Sequence, residues 1–293
     1  MNRRLRRQNT IAIAVLRGMV GLLVVLLVWI VVQLVTSGWS ELTRGGFYTK
    51  VPNIGGPGGG VGPQLYNTVY VLILSMLFAL PIGLAGGIFF AEYAGTGRLT
   101  NLLRRASETL ATLPSIVVGL FGYALFVQAT HSHPSRLAAA LSLTVINLPY
   151  VVRISEDALR ALPPALREGS LALGATRWQT VSRVLLPAAL PALITGAIIA
   201  AGRVFGEAAA ILFTGSNFSL TAHANYTLNP LDAGDTLAVN LYVFRIQAEP
   251  NVVTDARAYA DGVAALLVMA VLVFNVGARL LGRAAVRRLQ RTA

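Results

Sequence analysis

The sequence predicts an all-α, polytopic membrane protein with six transmembrane helices, and three observations carry that prediction. Of its 293 residues, 55% are hydrophobic and only 12% charged, with a mean hydropathy of +0.65, far from the balance of a soluble domain. Val51 to Ala91 contains no Asp, Glu, Lys or Arg, and about 20 apolar residues already cross a hydrocarbon core. Charged residues bracket further apolar runs, which places spans near 12–36, 66–92, 110–130, 137–154, 188–214 and 259–281.

The first span follows Arg3, Arg4, Arg6 and Arg7 and includes 23 uncharged residues from Gly18 to Ser40. A cleaved signal has an apolar core of about 7–15 residues and a small-x-small exit, so this run is expected to stay as an anchor. Gly55 to Pro63 is glycine-rich, but no Gly-Lys-Ser/Thr follows it and no strand precedes it, so it is expected to be a flexible linker. His131 and His133 lie in a short polar stretch without helical ligand spacing, and no metal site is expected. Residues 216–258 form a polar outer loop with Asp232, Asp235, Glu249 and Asp255, either a docking face or a solvated cap.

Charge fixes an expected orientation. The net charge is +12, and 17 of the 24 basic residues fall on the side of the two termini if six spans are drawn. The positive-inside rule then puts both termini in the cytoplasm of a multi-pass protein of the cell membrane. Attraction of these arginines to anionic lipid accounts for the basic excess, and no partnership with nucleic acid is expected. With no cysteine, the chain has no means of forming a disulfide, a thiolate zinc site, an iron-sulfur cluster or a cysteine nucleophile.

The inside loop 155–187 is too polar to span and rich in helix punctuation. Pro163 and Pro164 end one helix and open another, Gly174 can take a left-handed conformation after Leu173, and Thr176 and Gln179 have capping-box spacing. The expectation is helix, glycine turn, helix, lying parallel to the membrane, with Leu166, Leu173 and Trp178 free to bury in a partner.

Glu168-Gly169-Ser170, Gly174, Val184 and Leu186-Pro187 match every offset of E-A-A-x3-G-x9-I-x-L-P, and in this the loop resembles the EAA motif of ABC importer permeases. The departures are Gly-Ser for Ala-Ala and Val for Ile. The resemblance implies a coupling helix that docks on an ATP-binding subunit, with Glu168, Gly169, Ser170, Gly174, Trp178, Val184, Leu186 and Pro187 at the contact. It divides the chain into residues 1–60, comprising tail, first helix and glycine-rich outer loop, and an importer transmembrane domain over 61–293.

Leu65 to Thr68, Ala91 to Ala94, Thr112 to Val127 and Ile194 to Gly215 are similar, further, to the phosphate-specific importer permeases, and Gly206 to Thr214 looks like the A-type subunit of that pair. The resemblance implies a homologous C-type permease partner, an ATPase dimer that binds the ATP and magnesium, and an extracytoplasmic phosphate-binding protein. The chain carries no Walker lysine, catalytic carboxylate pair or triad, so it is not expected to be an enzyme itself. Importers of other oxyanions share the EAA loop, and a secondary transporter stands as a further alternative.

Arg203 and Glu207 are the charges of the fifth span, at a spacing that puts both on one face of a helix. An arginine at a span centre costs about 2.5–3.5 kcal/mol on insertion scales, so it needs a polar cavity or a partner. Either the two form an intrahelical pair that only holds the fold, or Arg203 lines the path and offers its fork to an oxyanion while Glu207 holds or gates it.

Overall fold

The computed structural model describes residues 3–52, 59–95, 97–216, 226–247 and 256–292, and among these it is helical throughout, with no strand. Five helices are long and apolar enough to span a bilayer, and a sixth arises if a sharply bent pair is counted as one span. They belong to α1 (Arg3–Ser37), α3 (Gly62–Ile88, continued by a π-helical turn, Phe89–Tyr93), α6 (Arg136–Arg160), α9 (Leu186–Phe205) and α12 (Ala256–Thr292). The shorter helices are α2 (Trp39–Leu42), α4 (Arg98–Thr112), α5 (Ser115–Tyr123, continued by Ala124–Gln128), α7 (Pro164–Ala172), α8 (Arg177–Thr180), α10 (Ala209–Thr214) and α11 (Leu237–Tyr242).

The most extensive packing joins α3 to α6. A Cβ on Gly83 would overlap Val151 Cγ1, and one on Gly87 would overlap Ser155 Cβ. Small residues let the two backbones close up where the hydrophobic effect cannot drive helix association. Around this pair, α9 and α10 complete a core that includes Leu72, Met76, Leu143, Phe205 and Ile211. The first helix packs on α12 and otherwise presents apolar side chains outward, as lipid contact requires.

Three expectations about the spans need correction. The run 110–130 is not one straight helix: α4 and the α5 segment meet at 103°. Pro114 has no N–H to give and forces Leu113 into an extended conformation, so the chain turns there. The run 188–214 ends early, at Phe205. Gly206 N donates to Arg203 O and Glu207 N to Val204 O, the three-residue bonds of a tightening end. After this break α10 leans on α5, where a Cβ on Gly119 would sit 2.7 Å from Ala210 Cα. Finally, the helix begun at Thr176 does not lie apart from the membrane segment: it runs on through a π-helical turn, Val181–Leu185, into α9 as one 29-residue helix, Arg177–Phe205. Pro187 cannot donate, and the wider turn before it accommodates that loss.

The described parts of the segments expected outside are more ordered than a solvated cap. Of the expected glycine-rich linker, residues 53–58 lie outside the described residues, while Gly60 N donates to Val51 O and Val61, fully buried, donates to Phe47 O. Of the loop 216–258, residues 217–225 and 248–255 lie outside the described residues. The part between them holds α11, whose Leu237 and Val239 are buried.

Candidate functional site

At one end of the bundle α7 stands clear of the spans. Pro164 opens it with the fixed φ that suits a first turn, and the helix ends at Leu173, followed by Gly174 at φ +83°. Leu173 N donates to Gly169 O, Gly174 N to Leu171 O at 3.0 Å and Ala175 N to Ser170 O at 3.3 Å. The capping box then forms as the spacing predicts: Gln179 N donates to Thr176 Oγ1 and Thr176 N to Gln179 Oε1. The hydroxyls of Ser170 and Thr180 lie 3.0 Å apart, tying α7 to the foot of the fifth span.

No side chain of α7 is buried, and Leu166, Leu171, Leu173 and Trp178 all face outward, Leu173 at 90% exposure. Glu168, Gly169 and Pro187 are exposed as well, while Val184 and Leu186 are half-buried, Leu186 against a cluster that includes Leu159, Val181 and Leu185. The motif therefore has two parts, an exposed apex and a half-buried root.

What holds α7 in place is a fork that sequence reasoning missed. Arg167 donates to Glu92 at the end of α3 from Nε (2.9 and 3.1 Å) and Nη2 (2.7 Å), and its Nη2 also donates to Leu159 O at 2.7 Å. Beside it, Glu156 is buried and takes Arg104 of α4 at 2.8 and 3.1 Å and Arg160 at 3.0 Å, while Arg160 also donates to Phe90 O. Bidentate pairs of this kind fix orientation as well as charge.

At the opposite end a second unforeseen arginine organises the outer segment. Arg136, expected as an outer charge, has no exposed surface. Its nitrogens donate to the backbone oxygens of Thr227 (2.7 Å), Asn229 (3.0 Å) and Asp232 (3.3 Å), to Thr227 Oγ1 (2.7 Å) and to Asn67 Oδ1 (3.4 Å), and it lies over the Tyr70 ring. One sequence signal bears on all these arginines: with 12 acids against 24 bases, a carboxylate at the mouth of a span is expected to find an arginine. Which arginine it finds is decided only by the fold.

Arg203 and Glu207 do not share a helical face. Arg203 sits in the last turn of α9, Glu207 lies beyond the helix end, and neither side chain makes an ion pair or hydrogen bond among the described residues. The guanidinium is exposed, and Glu207 is half-buried. The expected intrahelical pair is thus absent, because the break at Gly206 turns the chain before a fourth residue can stack over Arg203. An uncompensated arginine on an apolar span must meet water, an anion or a neighbouring subunit.

This geometry agrees with what the chain is similar to. The family model described as the binding-protein-dependent transport system inner membrane component matches residues 83–291. A probable ABC transporter permease protein of Bacillus subtilis (strain 168), YqgI, is 44% identical over 90% of this chain and 93% of its own length. The phosphate transport system permease protein PstA 1 of Mycobacterium tuberculosis (strain CDC 1551 / Oshkosh) is 32% identical over 89% of this chain and 84% of its own. Among solved structures, a bacterial alginate ABC transporter in complex with its alginate-bound periplasmic protein covers 96% of both chains with a TM-score of 0.69 at 14% identity, a likeness of fold alone.

Proposed function

The chain belongs to the family of binding-protein-dependent transport system inner membrane components, and from that premise we propose that it is the A-type permease subunit of an ATP-driven phosphate importer. The observation that carries the coupling role is α7: an exposed apolar apex on a turn fixed by Gly174, braced to α3 and joined through that turn to the fifth span. Such a lever suits docking in an ATPase, with Leu173 and Trp178 entering the partner and the half-buried root passing the movement on. In this reading α7 and both termini are cytoplasmic, and a second, homologous permease completes the path. ATP and its magnesium ion are bound by the partner ATPase, and an external binding protein delivers the solute.

The likeness to phosphate permeases over most of the chain supports phosphate as the cargo. The chemistry of the path supports it too. Arg203, exposed at the break between α9 and α10 and free of an internal partner among the described residues, offers a positive fork where an oxyanion leaves water. Glu207, just past the helix end, is placed to steer that fork or repel the anion onward.

The test is uptake into proteoliposomes holding this chain, its permease partner and the ATPase, with the binding protein outside and ATP enclosed. ATP-dependent accumulation of phosphate is the expected result. Accumulation of sulfate or molybdate in its place would reassign the cargo, and accumulation without ATP would overturn the importer reading.

A further inference from the structure

We propose that Glu92 and Arg167 are positioning residues for transport: their ion pair carries the displacement of α7 into α3, and through α3 to the far side of the membrane. This rests on α7 being the element that the ATPase moves.

The argument begins with what else could carry that movement. Along the chain, α7 is joined to α6 through Ala161 to Pro163 and to the fifth span through Gly174 to Thr176. Both joints interrupt the helical hydrogen-bond ladder, one at two successive prolines and the other at a glycine at positive φ. No continuous helix therefore carries a displacement of α7 into a neighbouring span. Because α7 buries no side chain, apolar packing does not stiffen it. The Ser170 hydroxyl meets Thr180 Oγ1 at the foot of the fifth span, a single hydroxyl contact that does not reach α3. Among the described residues the polar link from α7 to α3 is the Arg167 fork on Glu92.

The fork is built to transmit. Two nitrogens of Arg167 engage the Glu92 carboxylate, and the same guanidinium is held from behind by Leu159 O on α6. The side chains are 24% and 12% exposed, so water screens the pair weakly. Glu92 is itself held in the π-helical turn Phe89–Tyr93, which Ala94 N closes on Phe89 O at 2.7 Å. An arginine fixed at both sides passes on a push, whereas a single flexible contact would yield.

Beyond Glu92 the helix continues without a break, with Pro81 inside it. Gly62–Tyr93 runs 32 residues, about 48 Å at 1.5 Å per residue. At its far end Tyr66 and Tyr70 donate to Thr227 O and Leu228 O, and Leu237 N donates to Thr68 Oγ1. The same helix therefore holds α7 at one end and the outer segment at the other. By linkage, an outer event that displaces α3 biases α7 as much as α7 biases the outer segment.

The experiment uses the complete importer in proteoliposomes: this chain, its permease partner, the ATPase and the phosphate-loaded binding protein. For E92Q and R167Q we expect phosphate transported per ATP, and the stimulation of ATP hydrolysis by the binding protein, to fall by about 2- to 30-fold per assembled complex. The reversed pair, E92R with R167E, should exceed either single variant in both. A merely stabilising pair would change the yield of complex and leave both ratios at wild type, which overturns the proposal, as does a reversed pair no better than the singles. Should the single variants fail to assemble, the cysteine-free chain permits E92C with R167C bridged by a reducible thiol cross-linker. Coupling present when bridged and lost on reduction supports the strut, and a bridged complex that stays uncoupled overturns it. Failure of the α7 reading itself has a separate mark: complex carrying Leu173→Asp, with Glu92 and Arg167 intact, would then bind the ATPase and couple as the wild type does.

Discussion

Replacing Gly174 tests the lever at its turn, and the structure sets the size and the order of the effects. The residue sits at φ +83°, and a Cβ built there meets nothing within 4 Å. Any substitution therefore costs backbone strain without steric overlap. For alanine the strain is about 1–2 kcal/mol; asparagine, which visits the left-handed region more readily, costs less, and β-branched valine more, about 2–3 kcal/mol. The turn can escape the strain only by giving up the bonds from Gly174 N to Leu171 O and from Ala175 N to Ser170 O, which together cost about 1–3 kcal/mol. Either way the native turn loses about 5- to 100-fold in relative population for valine. Transport per assembled complex should fall in the order Asn, Ala, Val, with insertion unchanged because no span is touched. Phosphate uptake by reconstituted complexes, normalised to co-purified ATPase, measures it. Asparagine worse than alanine would show that side-chain size rules at this site, and wild-type uptake in Gly174→Val would refute the coupling role of the turn.

The remaining predictions concern the apex, the path and the outer segment. Leu173→Asp leaves the permease fold intact, since the side chain is 90% exposed, but removes about 1.5–3 kcal/mol of apolar burial on docking; ATPase affinity, read by co-purification through a graded salt wash, should drop by about 10- to 100-fold, and unchanged affinity would move the interface elsewhere. Arg203→Gln combined with Glu207→Gln should assemble yet remain inactive in phosphate uptake, because the two do not neutralise each other in the structure; near wild-type uptake would reduce Arg203 to scaffolding. Arg136→Met orphans the carbonyls of Thr227 and Asn229, each worth about 1–3 kcal/mol, so amide exchange across 226–236 should accelerate while the ends of α7 keep their protection; equal exchange in the variant and the wild type would show that this segment is held by other contacts.

Local chemistry determined much of this protein. Runs of apolar residues must be helical in a bilayer because every backbone group needs an internal partner, and five spans accordingly stand near where hydropathy puts them. The prolines at 163 and 164, the glycine at 174 and the Thr176 to Gln179 box act within a turn or two of themselves, so the shape of α7 and its exit was legible from spacing alone. The tertiary structure decided what depends on partners distant in the chain. The Arg167 fork closes on Glu92 across 75 residues, Glu156 collects Arg104 from 52 residues away, and Arg136 is buried by carbonyls 91 to 96 residues downstream. Nothing in the periodicity of a helix selects among so many arginines. The break at Gly206 is of the same kind: apolar composition runs on through Thr214, and an unbroken helix would satisfy it equally well. What ends α9 is the packing of α10 against α5 and α6, and that packing, by turning the chain one residue before Glu207, leaves Arg203 facing outward alone.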